Sequence, residues 1–97
     1  MPIFIVLAKY TTKGVQEIKD APERYEAAQK IAKSVGAEIK SVYYTMGRYD
    51  FVSIIEAPSI EAAMKGLFML GAGGIQSTET LVALSQDDAY RIISEIS

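Results

Sequence analysis

The feature that most constrains the fold is a polar corner near the middle of the chain, Thr45-Met46-Gly47-Arg48-Tyr49-Asp50. It joins two strand-like runs, residues 37–44 and 51–57. Gly47 is the residue of this corner that most readily adopts a positive φ, so the turn is expected to centre there. Because the connection is too short for a crossover, the two runs are predicted to pair as an antiparallel hairpin.

The first half of the chain predicts one strand and one helix. The continuous apolar run 3–8 is typical of a strand that is buried on both faces. Asp20 is the expected N-cap of a helix, because Pro22 follows it in the first turn, where a missing N–H costs little. Gly36 is a natural residue to end that helix.

The second half predicts two more helices and one more strand. Ser59 and Ser85 are each expected to cap a helix, and the run 75–84 between these helices reads as a strand. The order β-α-β-β-α-β with right-handed crossovers predicts an α+β, ferredoxin-like sandwich. Its four-stranded antiparallel sheet carries two helices on one face, with a further C-terminal helix. Residues 1–97 are expected to form a single domain.

The second face of this sheet points to self-association. In the second strand, strict alternation predicts that Ile39 and Tyr43 share one face, while Val42 and Tyr44 share the other. Whichever assignment is correct, apolar residues remain on the face that the helices do not cover. We therefore expect a second copy to pack sheet to sheet, giving a dimeric α/β barrel as a homodimer or a multiple of one.

Composition excludes several classes of function. The 97 residues carry a net charge of −2 without a basic cluster, so no nucleic-acid partner is expected. The chain has no Cys and no His, which removes thiolate catalysis and the commonest transition-metal ligands. We expect no metal site and no cofactor. No stretch approaches the ~18 apolar residues of a membrane span, and nothing resembles a signal peptide, so a cytoplasmic location is the default.

A few polar residues are candidates for a site. Glu56 and Glu79 lie within strands and would serve as acid or base if they faced a cleft; edge or solvent positions are the commoner alternative. Asp50 either fixes the corner by accepting turn N–H groups or faces a ligand, paired with Arg48 of its own or the other subunit. Tyrosines at strand ends suit an interface or a pocket rim, with interface packing ranked first. The candidate ligand-binding residues are Tyr10, Thr11, Tyr44, Gly47, Arg48, Tyr49, Asp50, Glu56 and Glu79.

Taken together, these motifs resemble a known family. The run 44–50, continued by Val52, Ile54, Glu56, Ala57 and Pro58, is similar to the signature of the GYD-domain family, and the flanks 19–24 and 77–81 agree. The resemblance spans nearly the whole chain. It implies a ferredoxin-like, dimeric α/β-barrel fold and no particular reaction.

A fainter similarity concerns residues 47–52 and the elements after them. They resemble the effector-binding domain of the Lrp/AsnC regulators. That domain has the same element order, dimerises through its sheets and binds amino acids near the subunit interface. This chain shows no helix-turn-helix domain beside it, so the resemblance implies a stand-alone sensor module.

These observations give three hypotheses about function. The first is a homo-oligomeric module that binds a small molecule or a partner, with a pocket at the Gly47 corner and the Tyr10–Thr11 strand end. The second is a cofactor-free isomerase or oxygenase of the dimeric-barrel type, and the third is an assembly subunit without a ligand. An acidic side chain facing an enclosed cavity would favour the enzyme. A cavity without an acidic side chain would favour the binding module, and a filled interior would favour the assembly subunit.

Overall fold

The computed structural model describes residues 1–96. Within them it places four strands, four helices and a short 3-10 turn at Ile18–Asp20. The strands are β1 (Ile3–Tyr10), β2 (Glu38–Tyr44), β3 (Phe51–Glu56) and β4 (Gln76–Ala83). The helices are α1 (Thr12–Gln16), α2 (Ala21–Ser34), α3 (Ile60–Gly71) and α4 (Gln86–Ser94). No helix in this range is both long and apolar enough to cross a bilayer.

The strands form one antiparallel sheet in the order β2-β3-β1-β4. The hairpin of β2 and β3 is as predicted, and β1 and β3 take the two central positions. Val6 occupies the centre of the sheet, where it pairs with Ser53 on one side and Thr80 on the other. The α+β, ferredoxin-like fold expected from the element order is therefore confirmed.

One irregularity in β2 changes which side chains face the helices. The pairing of β2 with β3 shifts register between Ile39 and Ser41, which leaves Lys40 as an extra, bulged residue. The bulge brings Ile39 onto the same face as Val42 and Tyr44, and all three line one cavity. The predicted strict alternation is thus wrong at Ile39, because one inserted residue inverts the side-chain direction on one side of the bulge.

The core lies between the sheet and the helices α2 and α3. Phe4, Val6 and Ala8 of β1 are 2%, 4% and 0% exposed. Ile5 and Leu7 alternate with them, point to the opposite face and remain only half-buried. The expectation that β1 is buried on both faces is therefore not met within a single chain.

All three predicted helix starts are found, and two of them have the expected capping hydrogen bond. The hydroxyl oxygens of Ser59 and Ser85 accept the backbone N–H groups of Ala62 and Asp88, each at 3.1 Å, as N-caps should. Asp20 precedes α2, but its side chain makes no capping hydrogen bond. The predicted N-cap position is therefore correct, although the expected capping hydrogen bond does not form.

Helix α4 packs only weakly on the rest of residues 1–96. The chain is elongated, measuring 53 × 31 × 17 Å, and its radius of gyration is 14.8 Å. A compact chain of this length would have a radius of about 12.5 Å. The apolar side of α4 is consequently open, with Ile92 and Ile93 49% and 57% exposed.

A close backbone contact holds α1 at the end of β1. The N–H of Thr11 donates to the carbonyl oxygen of Ile75 at 2.9 Å, and the Thr11 hydroxyl accepts the N–H of Gly14 at 3.2 Å. A Cβ atom at Gly14 would stand 2.2 Å from the Ile75 oxygen and 2.9 Å from Cδ1 of Tyr10. Glycine is therefore required here for space.

We predict that Gly14→Ala lowers the free energy of unfolding by about 1–3 kcal/mol, since a backbone carbonyl must move to admit the methyl group. Urea denaturation followed by circular dichroism measures the change. Gly71→Ala is the matched control, because a Cβ atom there meets nothing within 4 Å. Equal stability of the two variants would contradict the packing assigned to Gly14.

Candidate functional site

Several of the predicted site residues meet at one end of the sheet. The antiparallel pairing sets the end of β1 beside the start of β3 and the start of β4, with Tyr10 opposite Gln76. Tyr44, the last residue of β2, pairs with Phe51, the first residue of β3. We call this edge, together with residues 45–50, the corner end of the sheet.

Asp50 ties the corner to β1. Its carboxylate oxygen Oδ2 accepts the backbone N–H of Tyr10 at 2.8 Å. Its own N–H donates to the carbonyl oxygen of Ala8 at 2.8 Å, and its carbonyl oxygen accepts the N–H of Thr45 at 2.9 Å. A fixing role was one of the two expected for Asp50, but the N–H that its carboxylate accepts comes from β1 rather than from the turn.

The turn itself depends on Gly47. Its φ of +113° is one that residues with a side chain rarely adopt, and this confirms the predicted centre of the turn. The Thr45 hydroxyl donates to the carbonyl oxygen of Tyr49 at 2.6 Å and closes the loop. The guanidinium carbon of Arg48 lies 5.9 Å from the centroid of the Tyr49 ring rather than against Asp50, so no Arg48–Asp50 pair forms within this chain.

Three aromatic rings cover the helix-facing side of the corner end. The centroid of Phe51 is 5.4 Å from that of Tyr10 and 5.5 Å from that of Tyr44. The hydroxyl oxygens of Tyr10 and Tyr44 are 3.1 Å apart. Burial, together with the hydrogen bond to Tyr44, raises the pKa of Tyr10 to about 12, although the neighbouring Arg24 guanidinium acts in the opposite direction. Tyr10 therefore stays a neutral phenol at physiological pH.

These rings line a cavity of about 250 Å³ between α2, the sheet and the segment 69–76. Tyr25 and Tyr44 are 40% and 63% exposed, which places them at its mouth. Most of the wall is aliphatic or aromatic. Its polar side chains, within residues 1–96, belong to Tyr10, Arg24, Tyr25, Tyr44, Ser53 and Gln76.

The cavity carries a cation but no carboxylate. Arg24 from the first turns of α2 lines it, whereas no aspartate or glutamate of residues 1–96 does. The same range holds no cluster of three or more side chains suited to binding a metal ion. The chemistry of this wall is therefore hydrogen bonding and charge attraction rather than carboxylate acid–base work.

Arg24 is held in place by its neighbours, but one of its guanidinium nitrogens has no hydrogen-bond partner within residues 1–96. Its Nη1 donates to the carbonyl oxygen of Glu17 at 2.8 Å, and its guanidinium carbon lies 5.9 Å from the centroid of the Tyr10 ring. Its Nη2 is buried and has no hydrogen-bond partner among the described residues. Sequence analysis missed Arg24, although its spacing of four residues to Ala28 and seven to Ile31 marks the inward face of α2.

Three other candidates lie away from the cavity wall. The Tyr49 hydroxyl donates to the Glu79 carboxylate, and this hydrogen bond raises the pKa of Tyr49. Glu79 pairs with Leu7, so it belongs to the face opposite the helices. Thr11 donates to the carbonyl oxygens of residues 74 and 75 at 2.8 and 3.0 Å, in keeping with a structural role.

Glu56 is at the opposite end of β3, where it pairs with Ile3. Its carboxylate oxygen Oε2 lies 3.4 Å from Nζ of Lys40. The hydrogen bond between them is the main cause of the raised pKa of Lys40. Glu56 and the bulged Lys40 form a surface ion pair. The structure thus gathers Tyr10, Tyr44 and Asp50 at the corner end but leaves Glu56 apart from them.

The raised pKa of Tyr10 predicts a loss of stability at high pH. The folded chain favours the neutral phenol, so this contribution is complete below pH 10 and is lost as the pH rises to about 12. Tyr10→Phe should reduce the decline in the free energy of unfolding over that range, as measured by urea denaturation at a series of pH values. Tyr43→Phe, on an exposed tyrosine of β2, is the control; an unchanged decline in Tyr10→Phe would refute the assignment.

The chain is similar in sequence or fold to several known proteins. The chain is 33% identical over 89 residues to the glutamine synthetase and cystathionine beta-lyase binding protein of Thermus thermophilus, covering 91% of this chain and 94% of that protein. A feast or famine regulatory protein of M. tuberculosis, solved with L-methionine, has the same fold, with a TM-score of 0.63 and 18% identity. The match covers 89% of this chain and 52% of that regulator.

A crystal structure of a protein from Thermus thermophilus shares the fold over more of its length. It aligns with a TM-score of 0.55 and 21% identity over 88% of this chain and 95% of that one. The family model of the GYD domain matches residues 4–93, which include the polar corner, the cavity wall and nearly all of every strand. The chain therefore belongs to the GYD domain family.

Proposed function

We propose that this chain is a small-molecule-binding module that acts as a homo-oligomer. The observation that carries the proposal is the cavity of about 250 Å³, which is mainly apolar and has a few convergent polar groups at one end. This combination is typical of ligand pockets. The regulator solved with L-methionine supports it, because a protein of the same fold holds a small molecule.

The content of the cavity favours a binding module over the two alternatives. An isomerase or oxygenase without a cofactor would need an acid or base inside, and neither Glu56 nor Glu79 lines the cavity. An assembly subunit without a ligand would have a filled interior. The cavity is open, and no carboxylate of the described residues faces it.

The residues at the corner end would then have different parts in binding. Tyr10 and Tyr44 reach the cavity and would contact the ligand directly. Asp50 and Gly47 would act as positioning residues, since one holds the backbone of Tyr10 and the other shapes the turn.

We predict that toluene, a neutral probe of suitable size, binds the wild-type chain and that Ala28→Met weakens its binding by about tenfold or more, because the longer side chain fills the cavity. Chemical-shift titration by NMR measures both affinities. Lys30→Met, on the exposed side of the same helix, is the matched control. Absence of toluene binding to the wild type, or undiminished binding to Ala28→Met, would contradict the proposed pocket.

Self-association is supported by the opposite face of the sheet. We call it the open face; its apolar residues, which no helix of the described chain covers, include Ile5, Leu7, Val52, Ile54 and Leu81. Four strands of about seven residues present a face of about 500 Å². A stable interface usually takes about 800 Å² from each partner. The exposed apolar face of α4 would supply the remaining interface area when a second copy packs on the sheet.

We predict that the wild-type chain is a dimer, or a multiple of one, at micromolar concentration and that Ile54→Lys converts it to a monomer, because the charge would be buried between two sheets. Light scattering coupled to size-exclusion chromatography measures the mass. Met64→Lys, on the outer side of α3, should keep the wild-type mass. A wild-type chain of monomer mass would overturn this part of the proposal.

A second candidate function is the binding of another protein. The relative from Thermus thermophilus is named for binding two enzymes, and the exposed Ile92 and Ile93 of α4 would here contact such a partner in place of the second copy. Co-sedimentation with purified glutamine synthetase tests this candidate. Co-migration that is lost in Ile93→Lys would support it, and separate sedimentation would exclude that enzyme as a partner.

A further inference from the structure

We infer that the ligand of the cavity is a small monocarboxylic acid with an apolar body and no ammonium group. The inference rests on the proposed function and gives its ligand a chemical class. The carboxylate would lie between the Arg24 guanidinium and the hydroxyls of Tyr10 and Tyr44, while the apolar body would fill the interior toward Val6 and Ile31.

The cation of the cavity has unused bonding capacity. Arg24 is the one basic side chain that lines the cavity in residues 1–96, and its buried Nη2 has no partner there. A buried donor without an acceptor destabilises the folded state. A carboxylate would satisfy that donor with a charge-assisted hydrogen bond, the kind in which arginine is most effective.

Arg24 is also held in place before any ligand arrives. The backbone carbonyl oxygen of Glu17 accepts a hydrogen bond from Nη1 of Arg24 at 2.8 Å. The Tyr10 ring lies against the guanidinium group, with its centroid 5.9 Å from the guanidinium carbon. A side chain ordered in this way loses little conformational entropy on binding. The remaining donor is therefore a fixed anchor rather than a flexible surface charge.

The two phenols extend this anchor. The hydroxyl oxygens of Tyr10 and Tyr44 are 3.1 Å apart, so one of their protons is shared and the other can be donated. Tyr10 remains protonated because its pKa is raised to about 12. A carboxylate at this point would meet one cation and one hydroxyl donor.

The same wall discriminates against amino acids and amines. An α-ammonium group would need a carboxylate or several carbonyl acceptors, and no Asp or Glu of the described chain lines the cavity. Bringing an ammonium group out of water without a partner is costly. A zwitterion should therefore bind less well than the acid of the same skeleton that lacks the amino group.

The volume sets the size of the apolar body. An apolar cavity of about 150 Å³ is large enough for benzene. The 250 Å³ available here leaves room for a ring and a short acidic side chain. Phenylpropionate has these dimensions, and phenylalanine is the same skeleton with an added ammonium group, so the two form a matched pair of probes.

The test measures the binding of phenylpropionate, phenylalanine and toluene to the 97-residue chain by isothermal titration calorimetry and NMR. We expect phenylpropionate to bind about tenfold or more tightly than phenylalanine. Arg24→Met should lower the affinity for phenylpropionate, relative to that for toluene, by about tenfold or more. Arg91→Met, which removes an exposed arginine of α4, is the control and should leave the phenylpropionate affinity unchanged.

The three probes separate the two proposals. If toluene binds but phenylpropionate and phenylalanine bind with equal affinity, the ligand class is overturned and the pocket stands. The same holds if Arg24→Met leaves the affinity for phenylpropionate unchanged. Failure of toluene to bind the wild type would overturn the pocket, and the ligand class with it. A circular dichroism spectrum of Arg24→Met confirms that the variant is folded before its affinity is interpreted.

Discussion

The arrangement at the corner end depends on the hydrogen bond from the backbone N–H of Tyr10 to the Asp50 carboxylate. Pairing of β1 with β3 reaches Ala8 and Phe51, so Tyr10 has no ladder partner on that side. The carboxylate of Asp50 takes the place of the missing strand at 2.8 Å. It thereby fixes the residue whose ring lines the cavity and lies against Arg24. A residue of the turn thus determines the position of a residue in the pocket.

Local patterns in the sequence were enough to predict the fold. The positions of Gly47, Ser59 and Ser85 mark a turn and two helix starts, and each acts over a few residues, so no knowledge of distant contacts is needed. The prediction failed where a distant or irregular contact decides the structure. The bulge at Lys40 is an irregularity within the hairpin that no residue pattern marks, and the close approach of Gly14 to Ile75 joins segments that are remote in the chain.

The candidate site was predictable only in part, because local patterns do not show which residues of distant elements come together. The sequence predicts Tyr10 and Tyr44 at strand ends and Asp50 in the corner beside them, and antiparallel pairing brings these positions together. Arg24 was missed because a charged residue on a helix is usually solvated, and only the position of α2 over the sheet turns it inward. Glu56 was included for its residue type, which does not indicate at which end of the sheet a residue lies.

The cavity and the open face lie on opposite sides of one sheet, and this arrangement would separate the proposed ligand binding from the proposed self-association. The cavity lies between the sheet and the helices, on the side away from the open face where a second copy would pack. The open face contributes the alternate residues of the same strands, such as Ile5 beside Val6. Ligand affinity should then be independent of protein concentration, in contrast to a site built at a subunit interface. Any coupling between the two would have to pass through the backbone of β1 and β3, whose residues face both sides.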